Sequence, residues 1–168
     1  MRLRYFLFFI IFLGGCGYHF VGEGSSLLKE IHSIAIEYLD NRTFEPGLEA
    51  IFTEAIVDEF IKSRLLDVVS KEKADAILRG TIRSFREEVI SYDRDDKALE
   101  YRIHISLDLV LEKRKTGDVL WKVKNLKHTE EYPVSRNIMA TEEAKDRALK
   151  KLACDLAERI HDSIIEGF

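Results

Sequence analysis

The chain has 168 residues, with 26 basic against 30 acidic side chains for a formal charge of −4, and only two cysteines. That length fits one domain able to bury a real core. The acidic balance excludes a global nucleic-acid-binding signature, and two cysteines exclude a disulfide framework.

In chain order, Arg2 and Arg4 give a cationic start, followed by the nine-residue apolar run Tyr5–Leu13. Such a run matches a signal-peptide core and falls well short of the roughly twenty residues that span a bilayer as a helix. It ends in Leu13-Gly14-Gly15-Cys16, which resembles the bacterial lipobox, where small residues precede a cysteine that is acylated and becomes the N-terminus. The alternative is an ordinary cysteine following a standard signal peptide. Under the lipobox reading residues 1–15 are removed with two arginines and no acid, so 24 basic side chains face 30 acidic ones and the mature charge is −6. Several acyl chains, palmitate among them, on one residue anchor a protein far more firmly than a single chain does. Residues 16–29 then form the lipidated N-terminus and a tether made flexible by Gly22, Gly24, Ser25 and Ser26. Residues 30–168 are predicted to be one α+β domain.

Within that domain, alternation of Ile34, Ile36 and Tyr38 against Ser33, Ala35 and Glu37 predicts a first strand over about 31–38. Asp40-Asn41-Arg42-Thr43 reads as a turn with a possible helix cap, and Pro46 suits a first helical turn. Its fit to the glycosylation sequon needs no role beyond the turn. Leu48, Ile51, Phe52, Ala55, Ile56 and Phe60 recur at helical spacing and predict a helix over 46–63. A second strand places Ala76, Leu78 and Ile82 on one face and Arg79, Thr81 and Arg83 on the other. Arg86–Lys97 reads as a polar connector. Tyr101, Ile103, Ile105, Leu107, Leu109 and Leu111 alternate without a break and predict a third strand. Lys115-Thr116-Gly117-Asp118 turns the chain into a fourth strand from Val119 to about Thr129. After Pro133, Thr141 is a candidate cap for a helix over 141–165, lined by Leu149, Leu152, Ala153, Leu156, Ile160 and Ile164. The predicted fold is α+β, order β-α-β-β-β-α, with two amphipathic helices on one face of a four-stranded, mostly antiparallel sheet.

Chemistry is sparse. His19, His32, His104, His128 and His161 show no metal-ligand spacing, and no nucleophile-elbow, P-loop or dinucleotide motif occurs, so no catalytic residue, metal or cofactor is expected. Asp93-Arg94-Asp95-Asp96 lacks the glycine turn and distal glutamate of a calcium loop and reads as a solvated connector. Cys154, a lone thiol with no neighbouring cationic cluster, reads as a small buried hydrophobe. Tyr92, Trp121 and Tyr132 are amphipathic aromatics that suit either packing or a partner's wall. Strand alternation places Arg79, Arg83, Arg102, Lys122 and Lys124 on the non-core face, where guanidinium and ammonium groups suit phosphate, or merely keep an open sheet face soluble. The hairpin tip Lys113-Arg114-Lys115 is a second basic candidate.

Several segments together resemble the LPS-assembly lipoprotein LptE family of Gram-negative outer membranes. They are Cys16-Gly17-Tyr18-His19-Phe20, Ile34-Ala35-Ile36, Asn41-Arg42-Thr43, Ala74-Asp75-Ala76-Ile77-Leu78-Arg79-Gly80 and Lys115-Thr116-Gly117-Asp118-Val119-Leu120-Trp121. The resemblance implies two helices against a four-stranded sheet and a non-enzymatic lipoprotein. It further implies a protein that plugs the LptD β-barrel, assists its assembly and binds lipopolysaccharide in transit. Gly17 is not the aspartate that resembles an inner-membrane retention signal, which favours an outer-membrane address facing the periplasm. The alternative is a structural, pilot or chaperone lipoprotein of another envelope complex, with no lipid ligand.

Overall fold

The computed structural model describes residues 31–166. The expected signal peptide, the expected lipidation site at Cys16, the segment 17–20 and the expected tether lie outside the described residues. Eight elements follow in order: β1 (Ser33–Ile36), β2 (Asp40–Asn41), α1 (Leu48–Ser63), β3 (Asp67–Val68), β4 (Ala76–Tyr92), β5 (Ala98–Lys113), β6 (Val119–Pro133) and α2 (Ile138–Glu166). The class is α+β, but the sheet has six strands and is mixed rather than four-stranded. Its order is β3-β1-β4-β5-β6, with β2 beside β4 beyond the end of β1. β4, β5 and β6 are antiparallel, whereas β1 and β2 run parallel to β4, and β3 runs parallel to β1.

The long strands obey their alternation. Leu78 and Ile82 of β4 and Ile103, Leu107 and Leu111 of β5 are fully buried, and they meet Phe52, Ile56 and Phe60 of α1 and Leu152, Leu156 and Ile160 of α2 in one core. Gly80 lies in the same buried row. A Cβ there would run into the Leu39 side chain and come within 2.9 Å of Leu109, so a side chain at this position must displace core atoms. Lys145 of α2 bonds Glu45 at 2.7 Å and Glu87 at 3.2 Å, and Tyr132 donates to Glu87, which ties α2, the loop before α1, β4 and β6 together.

Several local expectations are corrected. β1 is shorter than predicted and two-faced: Ile34 faces the main core, Ala35 is buried with Ala74 and Ile77 beneath the turn after β3, and Tyr38 is exposed. Asp40–Asn41 is a strand, not a cap, because Arg42 N–H continues its pairing to Ile82 O at 3.0 Å. Asn41 instead braces the following loop, donating to Glu45 O at 2.8 Å and Glu49 Oε2 at 2.7 Å. Pro46 precedes the first helical turn. Gly47, at φ 86°, occupies the cap position in the left-handed region that glycine tolerates at no steric cost. The polar stretch from Arg86 is no connector. β4 runs on to Tyr92 because its backbone stays paired with β5, and only Asp93–Lys97 turn. β6 extends to Pro133, and α2 starts at Ile138, where Asn137 Oδ1 accepts from Met139 N–H at 3.0 Å. Thr141 sits inside the helix, its hydroxyl closing the loop onto Ser135 N–H at 2.9 Å. Cys154 is exposed, not buried, because it lies on the outward side of α2.

Candidate functional site

The helices cover one face of the sheet and leave the other open. On that outer face β4, β5 and β6 form a depression of about 580 Å³ lined by Arg79, Arg83, Asp108, Glu112, Lys122 and Lys124, among others. Register explains the grouping. Arg79 stands opposite Val110, and Val110 opposite Lys122, so the two cations flank one residue in the same cross-strand row. Breaks in register beside Arg83 on β4 and between Val123 and Leu126 on β6 turn both strands there, and Asn125 takes a left-handed φ of 54°.

Four of the five predicted basic residues therefore come together. Arg102 does not. It lies eight residues along β5 from Val110, about 26 Å at strand rise, and binds Glu131 Oε1 at 2.6 Å instead. The hairpin tip Lys113-Arg114-Lys115 also lies outside the depression.

The alternation that collects these cations collects acids with them. Arg79 donates to Glu37 Oε2 at 2.9 Å and Glu112 Oε2 at 2.5 Å, and Lys71 reaches Glu37 Oε1 at 2.6 Å. Lys71 and then Arg79 hold the Glu37 carboxyl below its ordinary range. Arg83 binds Asp108 Oδ2 at 2.8 Å, and Asn125 N–H binds the other oxygen at 2.8 Å. That backbone N–H, then the Arg83 guanidinium, lower the Asp108 pKa. The face is thus a charge mosaic rather than a uniformly basic one. Glu37, Asp108 and Glu112 carry the same period-two signal as the arginines, whereas Lys71 comes from a turn that no strand periodicity reaches. Lys122 and Lys124 make no ion pair among the described residues, so they are the cations of this depression least committed to internal partners. Each guanidinium, with five donors, retains N–H groups beyond its carboxylate contacts.

The aromatic candidates divide. Trp121 is buried, donating to Ser163 Oγ at 3.0 Å, and Tyr132 is buried and stacked on Tyr101, so both serve packing; Tyr92 is exposed. His104 lies on the outer face with Nε2 3.0 Å from Glu88. Sequence periodicity gave no sign of exposed Phe44, Ile138 and Met139, which stand at the same end of the helices as the Glu45–Lys145 contact. No described helix is long and apolar enough to cross a membrane.

Solved structures share this fold at low identity. They include a Caulobacter crescentus CB15 protein (TM-score 0.60, 14% identity, covering 83% of this chain and 92% of that one). Another is rare lipoprotein B from Shewanella oneidensis (0.54, 15%, 77% and 92%). A minor lipoprotein from Acinetobacter baumannii is similar again (0.53, 12%, 82% and 92%). No curated protein matches in sequence. The family model described as LptE, lipopolysaccharide-assembly, matches residues 31–164, most of the chain, and the protein belongs to that family.

Proposed function

We propose that the mature protein is held to the periplasmic face of the outer membrane by lipid on Cys16, plugs and assists assembly of an LptD-like β-barrel, and binds lipopolysaccharide through the outer face of its sheet. The observation that carries the binding reading is the depression between β4, β5 and β6, where Lys122 and Lys124 stand without ion-pair partners among the described residues, beside Arg79 and Arg83. Lipid A phosphates suit that chemistry, since ammonium groups bind phosphate as point charges and guanidinium donors add directional hydrogen bonds. Exposed Phe44, Ile138 and Met139, at one end of the helices, offer apolar surface for a protein partner to cover. Affinity capture of the lipidated protein from detergent-solubilised outer membranes is expected to bring down a large barrel; its absence overturns the plug reading.

A second reading, an assembly or pilot lipoprotein without a lipid ligand, is favoured by one observation: Arg79, Arg83 and Arg102 are already paired with acids of their own face. Titrating the protein with lipopolysaccharide separates the two readings. Binding that survives Lys122→Glu with Lys124→Glu assigns the face to solubility.

A further inference from the structure

β6 is the last strand of the sheet, paired with β5 on one side and with no strand on the other among the described residues. A free edge offers its backbone to any strand that matches it, and proteins ordinarily guard such edges with like charges or bulges. The first half of β6 is guarded in both ways: Lys122 and Lys124 are exposed there, and the bulge at Asn125 breaks its line. The second half is not. Residues 126–133 run in unbroken register with β5, from Leu126 opposite Leu107 to Pro133 opposite Glu100, and carry both signs of charge in Lys127, Glu130 and Glu131.

One contact sets which groups face the open side. Arg159 of α2 donates to the Lys127 carbonyl at 3.5 Å, so that carbonyl points away from β5. Both backbone groups of a residue leave a strand on the same side, and successive residues leave on opposite sides. Lys127, Thr129 and Glu131 therefore turn their N–H and C=O groups to the edge, and their side chains are exposed as well. The sequence Leu126-Lys127-His128-Thr129-Glu130-Glu131-Tyr132 is complementary to itself about Thr129. Laid antiparallel against a second copy, it sets Lys127 opposite Glu131 and His128 opposite Glu130, each twice, with Thr129 opposite Thr129. An axis at Lys127 or at Glu131 would instead set like charge directly on like charge, which is destabilising.

We infer that residues 126–132 of β6 pair antiparallel with the same residues of a second copy, about a two-fold axis at Thr129, so that the two sheets become one. A two-fold contact repeats each favourable pair. Glu131 accepts from Arg102 at 2.6 Å on the β5 side, and Lys127, which makes no ion pair among the described residues, closes on it from the other. On the inner row Glu130 is paired with Lys151, and His128 lies 3.4 Å from Asp155, so that row also carries both signs. The pairing depends on neither the lipid anchor nor the depression.

The test uses the full lipidated protein in detergent, diluted below one copy per micelle, with Cys154→Ser removing the exposed thiol. Thr129→Cys is expected to form an intermolecular disulfide under mild oxidation, because opposed residues that exchange backbone bonds lie about 5.5 Å apart at Cα, within the span of a disulfide. Thr116→Cys, exposed in the turn before β6, is expected to form none and reads chance collision. Adding Lys127→Glu or Glu131→Lys to the Thr129→Cys protein is expected to cut the disulfide yield about tenfold. Mixing those two variants should restore it, since in the mixed pair every acid again faces a base, and that recovery also shows both to be folded. Absence of the Thr129 crosslink, equal yields from Thr116→Cys and Thr129→Cys, indifference to the charge reversals, or a mixture no better than its parts overturns the pairing.

Discussion

The two faces of the β4–β5–β6 sheet are built from the same alternating residues and do opposite work. The inner face is apolar and closed: Leu78, Ile82, Leu107 and Leu111 are fully buried beneath α1 and α2. The outer face is polar and open, and its charges are held largely by one another across neighbouring strands. Buried apolar area stabilises at about 25 cal/mol per Å², while exposed ion pairs contribute at most about 1 kcal/mol each. Stability is thus concentrated on one face, which leaves the other free to vary its charges for a ligand or partner.

Substitution on each face can break that contrast. Leu107→Ala, at the centre of the core, is expected to cost about 2–5 kcal/mol. Urea denaturation reads it, and a loss no larger than that from Val110→Ala on the outer face would remove the asymmetry. Gly80→Ala tests the inner face by overfilling. The new methyl meets Leu39 and Leu109, and a loss of about 1–3 kcal/mol is expected in the same measurement. An unchanged midpoint would mean that Leu39 moves aside freely.

The inner face was legible in the sequence because burial imposes a period. Ile103 to Leu111 alternate and are found alternating, and both helices follow their apolar stripes. What escaped lacks a period or hides it. β2 and β3 have two residues each, too short for any repeat to show, and both join the sheet only through tertiary pairing. The end of β4 looks like a connector because Arg86-Glu87-Glu88 are charged, yet backbone pairing with β5 does not require apolar side chains. At the candidate site, alternation correctly put four cations on one patch of one face. It could not show that Arg102 lies far along β5, since a shared face says nothing about distance along it. Nor did attention to the cations alone reveal that Glu37, Asp108 and Glu112 neutralise two of them.

Acid sharpens the contrast from the outer side. The Glu37 and Asp108 carboxyls are held below their ordinary range by Lys71 and by the Asn125 N–H respectively, with Arg79 and Arg83 adding to each. A depressed carboxyl contributes stability that is fully present above its unfolded-state pKa and is lost as pH falls through the lower folded value. Stability should therefore decline below the ordinary carboxylate range. Glu37→Gln should flatten that decline, by less than about 1 kcal/mol since the pair is partly solvent-exposed. Thermal melts of both proteins across that range check it, and identical slopes would place the acid sensitivity elsewhere.

The smallest expected effect is the most discriminating for the site. Arg102 shares the outer face with Lys122 and Lys124 but stands about 26 Å from the Lys122 row along β5 and binds Glu131 and Glu88. If the depression is the binding element, Arg102→Gln should leave lipopolysaccharide affinity unchanged and lower stability by no more than about 1 kcal/mol, while Lys122→Glu with Lys124→Glu weakens binding without moving the melting temperature. Isothermal titration of the three proteins decides between a local site and a diffuse one. Equal losses from Arg102→Gln and from the lysine pair would mean that net charge, rather than the depression, attracts the ligand, because a field spread over the whole face does not distinguish positions within it.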